Sequence, residues 1–231
     1  KGGETIRLEM HQHQKNKKKL ILDLEVLYED DYLAVINKPA GIAVSGNKFK
    51  TVANALSQHL TPSSLGDATI PQPVHRLDYP TTGALLIGKT ALSIRSLNKM
   101  FEEKKVTKTY YAVTIGRMDA KGTVSTDIDA KKAHTTYEVI ETVSSKRFAY
   151  LNLVRLSPST GRRHQLRKHM TSLGNPILGD KDYYKEGLIL RGKGLYLHAY
   201  SLVLAHPVTQ EPMAIETLMP QKFKKLFGEI I

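Results

Sequence analysis

With 231 residues, 41% of them apolar, the chain is long enough to bury one large core or two intimately joined ones. Lys and Arg number 34 against 22 acidic residues, and the net charge of +12 makes nucleic acid the leading expected partner. Cysteine is absent, which excludes disulfides, thiolate metal sites and cysteine nucleophiles; no run approaches the roughly 20 apolar residues of a membrane-crossing helix, so a soluble, cytoplasmic protein is expected.

The chain starts on Lys1 rather than Met, and residues ahead of it are expected. Residues 1–9 contain the alternating segment Gly2–Leu8, which reads as the end of a strand after a glycine turn. Residues 10–19 form a polar, basic run that reads as a linker, and a catalytic unit occupies residues 20–231. The pair His11 and His13 lacks a third ligand nearby, so a solvated tether is the better reading than a metal site.

Leu24–Tyr28 and Tyr32–Asn37 are predicted as short strands around the turn Glu29-Asp30-Asp31, and Lys38-Pro39-Ala40-Gly41 turns the chain into Ile42–Val44. Thr51 caps a helix to about Leu60, and Thr61–Pro73, with its Pro, Ser and Gly, is expected to be a loop. Val74–Asp78 and the turn Tyr79-Pro80-Thr81-Thr82 lead into a buried strand at Ala84–Ile87. Thr90 caps a helix that ends near Glu103, with Leu92, Leu97, Met100 and Phe101 mainly on one face. Tyr110–Ile115, Thr135–Thr142 and Phe148–Leu156 read as strands, the last two antiparallel neighbours because no helix separates them. Arg162–Leu173 reads as a helix stopped by Gly174 and Pro176, Leu195–Leu204 as a strand, and Gln221–Phe227 as a terminal helix. The class is α+β, a mixed, largely antiparallel central sheet flanked by helices.

Gly83-Ala-Leu-Leu-Ile-Gly88-Lys89-Thr90 satisfies the spelling of a nucleotide-binding P-loop. A phosphate cradle needs its inter-glycine residues to turn so that several N–H groups converge on one anion. Ala-Leu-Leu-Ile favours extended backbone whose N–H groups go into a sheet ladder, so no nucleotide cofactor is expected.

Three polar islands stand in apolar surroundings: His75-Arg76-Leu77-Asp78, Lys108-Thr109-Tyr110 and Thr160 to Arg167. An acid, a phenol and a row of cations suit a site that holds a nucleotide and attacks it. An attacking carboxylate must be ionised, and a nearby cation secures that; Arg167 is the candidate, with Arg163 on the same helix face at i,i+4 spacing. His75 and His164 are read as structural hydrogen-bonders.

His75-Arg76-Leu77-Asp78, with Tyr79-Pro80-Thr81-Thr82-Gly83 after it, resembles the HRLD motif of the RluA-type pseudouridine synthases. Leu27 to Tyr32 through Asn37-Lys38-Pro39-Ala40-Gly41 is similar to that family's opening block, and Lys108-Thr109-Tyr110-Tyr111-Ala112 to its K-x-Y-x-A strand. Thr160-Gly161-Arg162 through Gly179-Asp180 resembles its T-G-R-x-H-Q segment with the usual continuation, and Leu197-His198-Ala199 its late strand. The resemblance runs in order from about residue 24 to 216.

The resemblance implies a cofactor-free isomerase acting on ribosomal RNA, large subunit first, or transfer RNA. It makes Asp78 the attacking aspartate on a flipped-out uridine, Arg167 its salt-bridge partner, and Tyr110 the residue that stacks on the target base and is the candidate base for its C5 proton. Leu166 is implied as the apolar contact beneath that base, and Arg76 as the cation filling the gap left by the flipped nucleotide. Lys108 is an expected RNA contact. Arg163 and Lys168 depart from the family spelling, each adding charge, and read as extra phosphate contacts. Gly2–Leu8 resembles the closing strand of an S4-type RNA-binding domain. A monomer is the simplest assembly, and a non-catalytic RNA-binding protein on the same fold is the alternative.

Overall fold

The computed structural model describes residues 20, 22–184, 186–188, 190 and 192–228. The expected strand at Gly2–Leu8 and the basic linker lie outside the described residues. Among the described residues ten strands form one sheet: β1 (Glu25–Glu29), β2 (Leu33–Lys38), β3 (Ala68–Pro73), β4 (Thr82–Thr90), β5 (Thr107–Ile115), β6 (Lys121–Val124), β7 (Thr135–Ser145), β8 (Ala149–Pro158), β9 (Leu197–Ala205) and β10 (Pro212–Glu216). The helices are α1 (Val52–Ala55), α2 (Ala91–Glu102), α3 (Gln165–Ser172) and α4 (Gln221–Phe227). Along the sheet the order is β1-β2-β4-β9-β5-β8-β7-β6, with β3 also on β4 and β10 also on β9. The pairings are antiparallel except β4 with β9, as the sequence pattern predicts for a mixed sheet.

β4 shows why the residues lie as they do. Its side chains alternate between two cores: Leu85 and Ile87 join Val52, Leu56 and Leu77 on one face, while Ala84 and Leu86 join Leu33, Val35 and Leu97 of α2 on the other. A strand covered on both faces needs apolar residues at successive positions, and each fully buried Leu or Ile contributes about 1.5–3 kcal/mol. The P-loop spelling thereby serves structure. Lys89 bonds Glu29 Oε1 at 2.7 Å, and Thr90 caps α2 in a reciprocal box with Ser93. A third core, including Val113, Leu153, Met170 and Phe223, lies under the β5–β8 half.

The two halves of the sheet meet where β4 and β9 run parallel, through the pairs Thr82–His198 and Gly83–Ala199. Thr82 Oγ1 lies 2.7 Å from His198 Nδ1, and His198 Nε2 lies 2.5 Å from Thr217 Oγ1, so polar contacts reinforce this short seam. Gly83 sits there at φ +114, and a Cβ on it would fall 2.1 Å from the Ala199 carbonyl oxygen. Gly83→Ala therefore meets both backbone strain and a clash with main chain; urea unfolding should show a loss of about 3 kcal/mol or more.

Several expected boundaries are corrected. The predicted helix from Thr51 to Leu60 is one α turn, Val52–Ala55, succeeded by a tighter turn at Leu56–Gln58. Part of the expected loop Thr61–Pro73 is β3, an edge strand on β4. β6 and β10 add to the expected strands, and Ile42–Val44 makes only an isolated bridge, between Ala43 and Thr51. The helix expected from Arg162 begins at Gln165: His164 holds a left-handed backbone (φ 56), and Gln165 Oε1 accepts from the Thr160 hydroxyl and Arg162 N–H. Arg163 thus precedes the helix and shares no helical face with Arg167.

Candidate active site

The turn after β3 and the start of α3 bring Asp78 and Arg167 together. Arg167 Nη1 lies 3.6 Å from Asp78 Oδ2, the Arg side chain being 3% exposed and the Asp side chain 25%. Arg167 makes its tighter bonds elsewhere: Nε donates to Asp180 Oδ2 and Nη2 to Asp180 Oδ1, both at 2.7 Å, and Nη2 also donates to Asp182 Oδ2 at 2.6 Å. Its guanidinium lies 4.9 Å from the centre of the Tyr183 ring. Burial alone would lower the Arg167 pKa, but hydrogen bonds to Asp180 and Asp182 outweigh it and hold the cation above its ordinary value. The division of labour is plain: Asp180 anchors the guanidinium, which leaves Asp78 near a fixed positive charge without a short bond that would occupy its oxygens.

Asp180 is itself positioned by backbone. Its carboxylate, fully buried, accepts the N–H groups of Asp182 and Tyr183 at 3.0 and 3.1 Å. Gly179 before it has φ +80, and a Cβ there would sit 1.9 Å from the Gly194 carbonyl oxygen. Only glycine lets the chain slip under Gly194 and present Asp180 to α3.

Lys38 secures the turn that carries Asp78. It is completely buried, and its ammonium donates to the carbonyls of Pro39, Thr81 and Tyr79 at 2.9, 2.8 and 3.3 Å. Burial pulls its pKa down to about 8 against the opposing attraction of Asp78. An unfolded lysine keeps its proton to about 10.5, so between about 8 and 10.5 the unfolded state binds more protons and this residue adds stability as pH rises; that gain is lost as pH falls through about 8. Lys222, also pulled down to about 8 by burial, acts in the same window. Urea unfolding across it should therefore give a steeper rise for the parent protein than for Lys38→Met; equal slopes would mean that burial does not lower the pKa of Lys38.

In front of Asp78 opens a cavity of about 910 Å³, lined among others by Arg76, Lys108, Tyr110, His164 and Leu166. Tyr110 packs between two of the hydrophobic cores, beside an irregularity where β5 passes from pairing Ser201 to pairing Ala199. Burial and then the charge of Asp78 push its phenol up, so it stays protonated. His164 Nε2 lies 3.9 Å from Asp78 Oδ1, and its Nδ1 lies 2.9 Å from the Tyr183 hydroxyl. Burial is the first cause that lowers its pKa, which makes it a neutral neighbour of the carboxylate. His75 Nε2 accepts from Leu86 N–H at 2.9 Å, its ring stacks on Phe101, and burial takes its pKa to about 3. That is the structural role expected of it.

The expected residues do not all converge. Asp78, Tyr110, Leu166, Arg76 and Lys108 line one cavity, with Arg167 behind Asp78. Lys108 Nζ reaches the Thr160 carbonyl at 3.3 Å, and burial lowers its pKa. Arg163 is exposed and Lys168 pairs with Asp129 at 3.0 Å; neither lines the cavity. Sequence reasoning assigns no role to Asp180, Asp182, Tyr183 or Lys38. Asp180 and Lys38 stand inside the motif blocks, where the signal is an ionisable residue embedded in apolar or turn sequence with no assigned partner. Thr81 also lines the cavity, and its buried hydroxyl finds no hydrogen-bond partner among the described residues.

A family model described as RNA pseudouridylate synthase matches residues 32–172. The chain is 36% identical over 219 residues to a ribosomal large subunit pseudouridine synthase C of Rickettsia bellii, an alignment covering 87% of this chain and 70% of that one. It is 32% identical over 244 residues to a tRNA pseudouridine synthase C of Haemophilus ducreyi, covering 90% and 96%. Among solved structures, human RNA Pseudouridylate Synthase Domain Containing 1 superposes with a TM-score of 0.72 at 26% identity, covering 86% of this chain and 84% of that one. Motif order, sheet topology and these matches agree: the chain belongs to the RNA pseudouridylate synthase family, isomerases that turn uridine into pseudouridine within RNA.

Proposed function

We propose that the chain carries out this isomerisation with Asp78 as the attacking carboxylate, on a uridine everted from large-subunit ribosomal RNA into the cavity. The observation that carries the reading is the arrangement of one partly exposed carboxylate facing the cavity and one buried guanidinium behind it, fixed by a second, buried carboxylate. A stacked uridine hides its glycosidic bond, so it must leave the helix at a cost of about a few kcal/mol. Tyr110 and Leu166 supply the stacking and apolar contacts that offset this, while Arg76 enters the vacated place in the RNA. Attack by Asp78 forms a bond from its carboxylate to C1′ or to the base; the C1′ to N1 bond breaks, the bond to Asp78 breaks again as C1′ joins C5, C5 loses its proton and N1 gains one. Tyr110 is held protonated, so as the base for C5 it gives its phenol hydrogen to N1 and takes the one from C5, which leaves its own protonation unchanged over the cycle.

Lys108, Arg163 and Lys168 are assigned to phosphate contacts, the last two outside the cavity; Lys168 must exchange Asp129 for a phosphate. No cofactor takes part. The acid, phenol and cation all come from one chain, which supports a monomer, and cytoplasm is the compartment where such RNA is met. The likeness of Gly2–Leu8 to an S4-type strand, together with the relative named for the ribosomal large subunit, favours that RNA over the transfer RNA named for the Haemophilus relative. The test is release of tritium from [5-³H]uridine in transcripts of large-subunit ribosomal RNA and of transfer RNAs. Release from the ribosomal transcript is expected; release from transfer RNA alone would replace the substrate, and release from neither would reject the reading.

A further inference from the structure

Close in sequence to residues that line the cavity, two aromatic side chains are exposed on firmly held backbone. Tyr79 directly succeeds Asp78 and is 61% exposed, yet its carbonyl accepts from Gly41 N–H at 2.9 Å and from the Lys38 ammonium at 3.3 Å. Phe49 is 51% exposed, and its carbonyl accepts from Thr51 N–H at 3.0 Å and Asn54 Nδ2 at 2.8 Å. Phe49 lies in the loop Ser45-Gly46-Asn47-Lys48-Phe49-Lys50, exposed throughout, whose first residue lines the cavity. The segment from Gly41 to Gly66 contains no Asp or Glu, so Lys48 and Lys50 have no acid among their near sequence neighbours.

Scattered exposed apolar side chains are ordinary on protein surfaces. These differ in combining pinned main chain, bare ring, alternating lysines and continuity with the cavity mouth. Everting one nucleotide leaves its neighbours without a stacking partner on one side, and an aromatic face with cations between is the chemistry that receives such bases. An acidic protein surface would need only the lysines, whereas bare rings beside them suit flat bases joined by phosphates.

We propose that Tyr79 and Phe49 are stacking platforms for the nucleotides flanking the target uridine, with Lys48 and Lys50 holding the phosphates between them. The inference rests on the isomerase reading of the neighbouring cavity. The main chain under each ring is pinned, so capturing splayed bases requires ordering of the side chains alone. Sequence preference should be weak, because every base offers a flat face.

The protein has no tryptophan, so Phe49→Trp and Tyr79→Trp each introduce a single indole that keeps the stacking surface. Titration with a short single-stranded oligouridylate should quench both indoles. The double variant Phe49→Ala/Tyr79→Ala should bind that oligouridylate at least about tenfold more weakly, and Tyr79→Phe should keep the parent affinity. Lys48→Ala/Lys50→Ala should flatten the dependence of log affinity on log salt by about 1.4. With the ribosomal transcript, the double alanine variant should lose its activity mainly through KM. Absence of quenching together with alanine-variant affinity within about twofold of the parent would overturn the inference. If the parent releases no tritium from any RNA, the isomerase reading fails by itself, and quenching and affinity still decide whether these rings stack on bases.

Discussion

Replacing Asp78 with asparagine removes pseudouridine formation by about four orders of magnitude or more, while affinity for the same RNA stays within a few-fold. The substitution keeps the size and shape of the side chain and removes the negative oxygen that the proposed mechanism uses for attack. Binding is spared for an electrostatic reason: the lost charge is of the same sign as the phosphates, and Arg167 remains compensated by Asp180 and Asp182. The fold is spared because the turn is held through main-chain carbonyls to Lys38 and through the Thr81 N–H to Asp78 carbonyl bond of 3.0 Å, none of which uses the carboxylate. Tritium release and filter binding on one RNA preparation measure the two quantities together. Turnover retained at more than a trace would assign the chemistry to some other group.

Asp180→Ala acts through stability. Its removal leaves a guanidinium in a site 3% exposed with two of its best hydrogen bonds gone, and leaves the N–H groups of Asp182 and Tyr183 without their acceptor. Breaking a buried charge pair from one side costs about 3–5 kcal/mol. Urea unfolding should show a midpoint lowered accordingly with an unchanged slope. Asp180→Asn separates position from stability, because its remaining carbonyl oxygen can still accept from backbone while the charge is gone. That variant should fold, and its kcat should fall more than its KM rises, because a freed Arg167 closes on Asp78 and ties up the oxygen needed for attack. Unchanged kcat in a folded Asp180→Asn protein would show that the anchor does nothing for the reaction.

The parts of the fold legible in the sequence are those where local chemistry and tertiary packing agree. α2 carries its own cap at Thr90 and an apolar stripe, and α4 matches its expected bounds. β7 and β8 pair antiparallel because a short turn between β-branched runs allows little else. β3 escapes detection because Pro71 and Pro73 argue against a strand; they are tolerated since β3 lies at an edge, where the free edge of β4 creates it. β6 is four residues long, too short to show any period. The early part of the expected α3 is unwound by Gln165, whose side chain ties down the residues ahead of it, a tertiary fact that propensity does not carry.

The site divides the same way. The motif blocks alone are enough to group Asp78, Tyr110 and Arg167. Asp180 escapes because its worth depends on Gly179 passing beneath Gly194, which brings the carboxylate against α3. Lys38 looks like part of a turn, and only its burial shows that it fastens the loop bearing Asp78.

The narrow parallel contact between β4 and β9 has a consequence for the life of the molecule. Asp78 is supplied by the earlier part of the polypeptide, whereas the arginine and its anchoring carboxylate come from much later translation. A nascent chain that has made only its first half holds Asp78 with Lys38 near it but lacks the buried guanidinium and the far wall of the cavity, and is expected to be inactive toward RNA. If Asp78 needs that guanidinium, activity is expected to appear only once the two halves of the sheet have docked along β4 and β9.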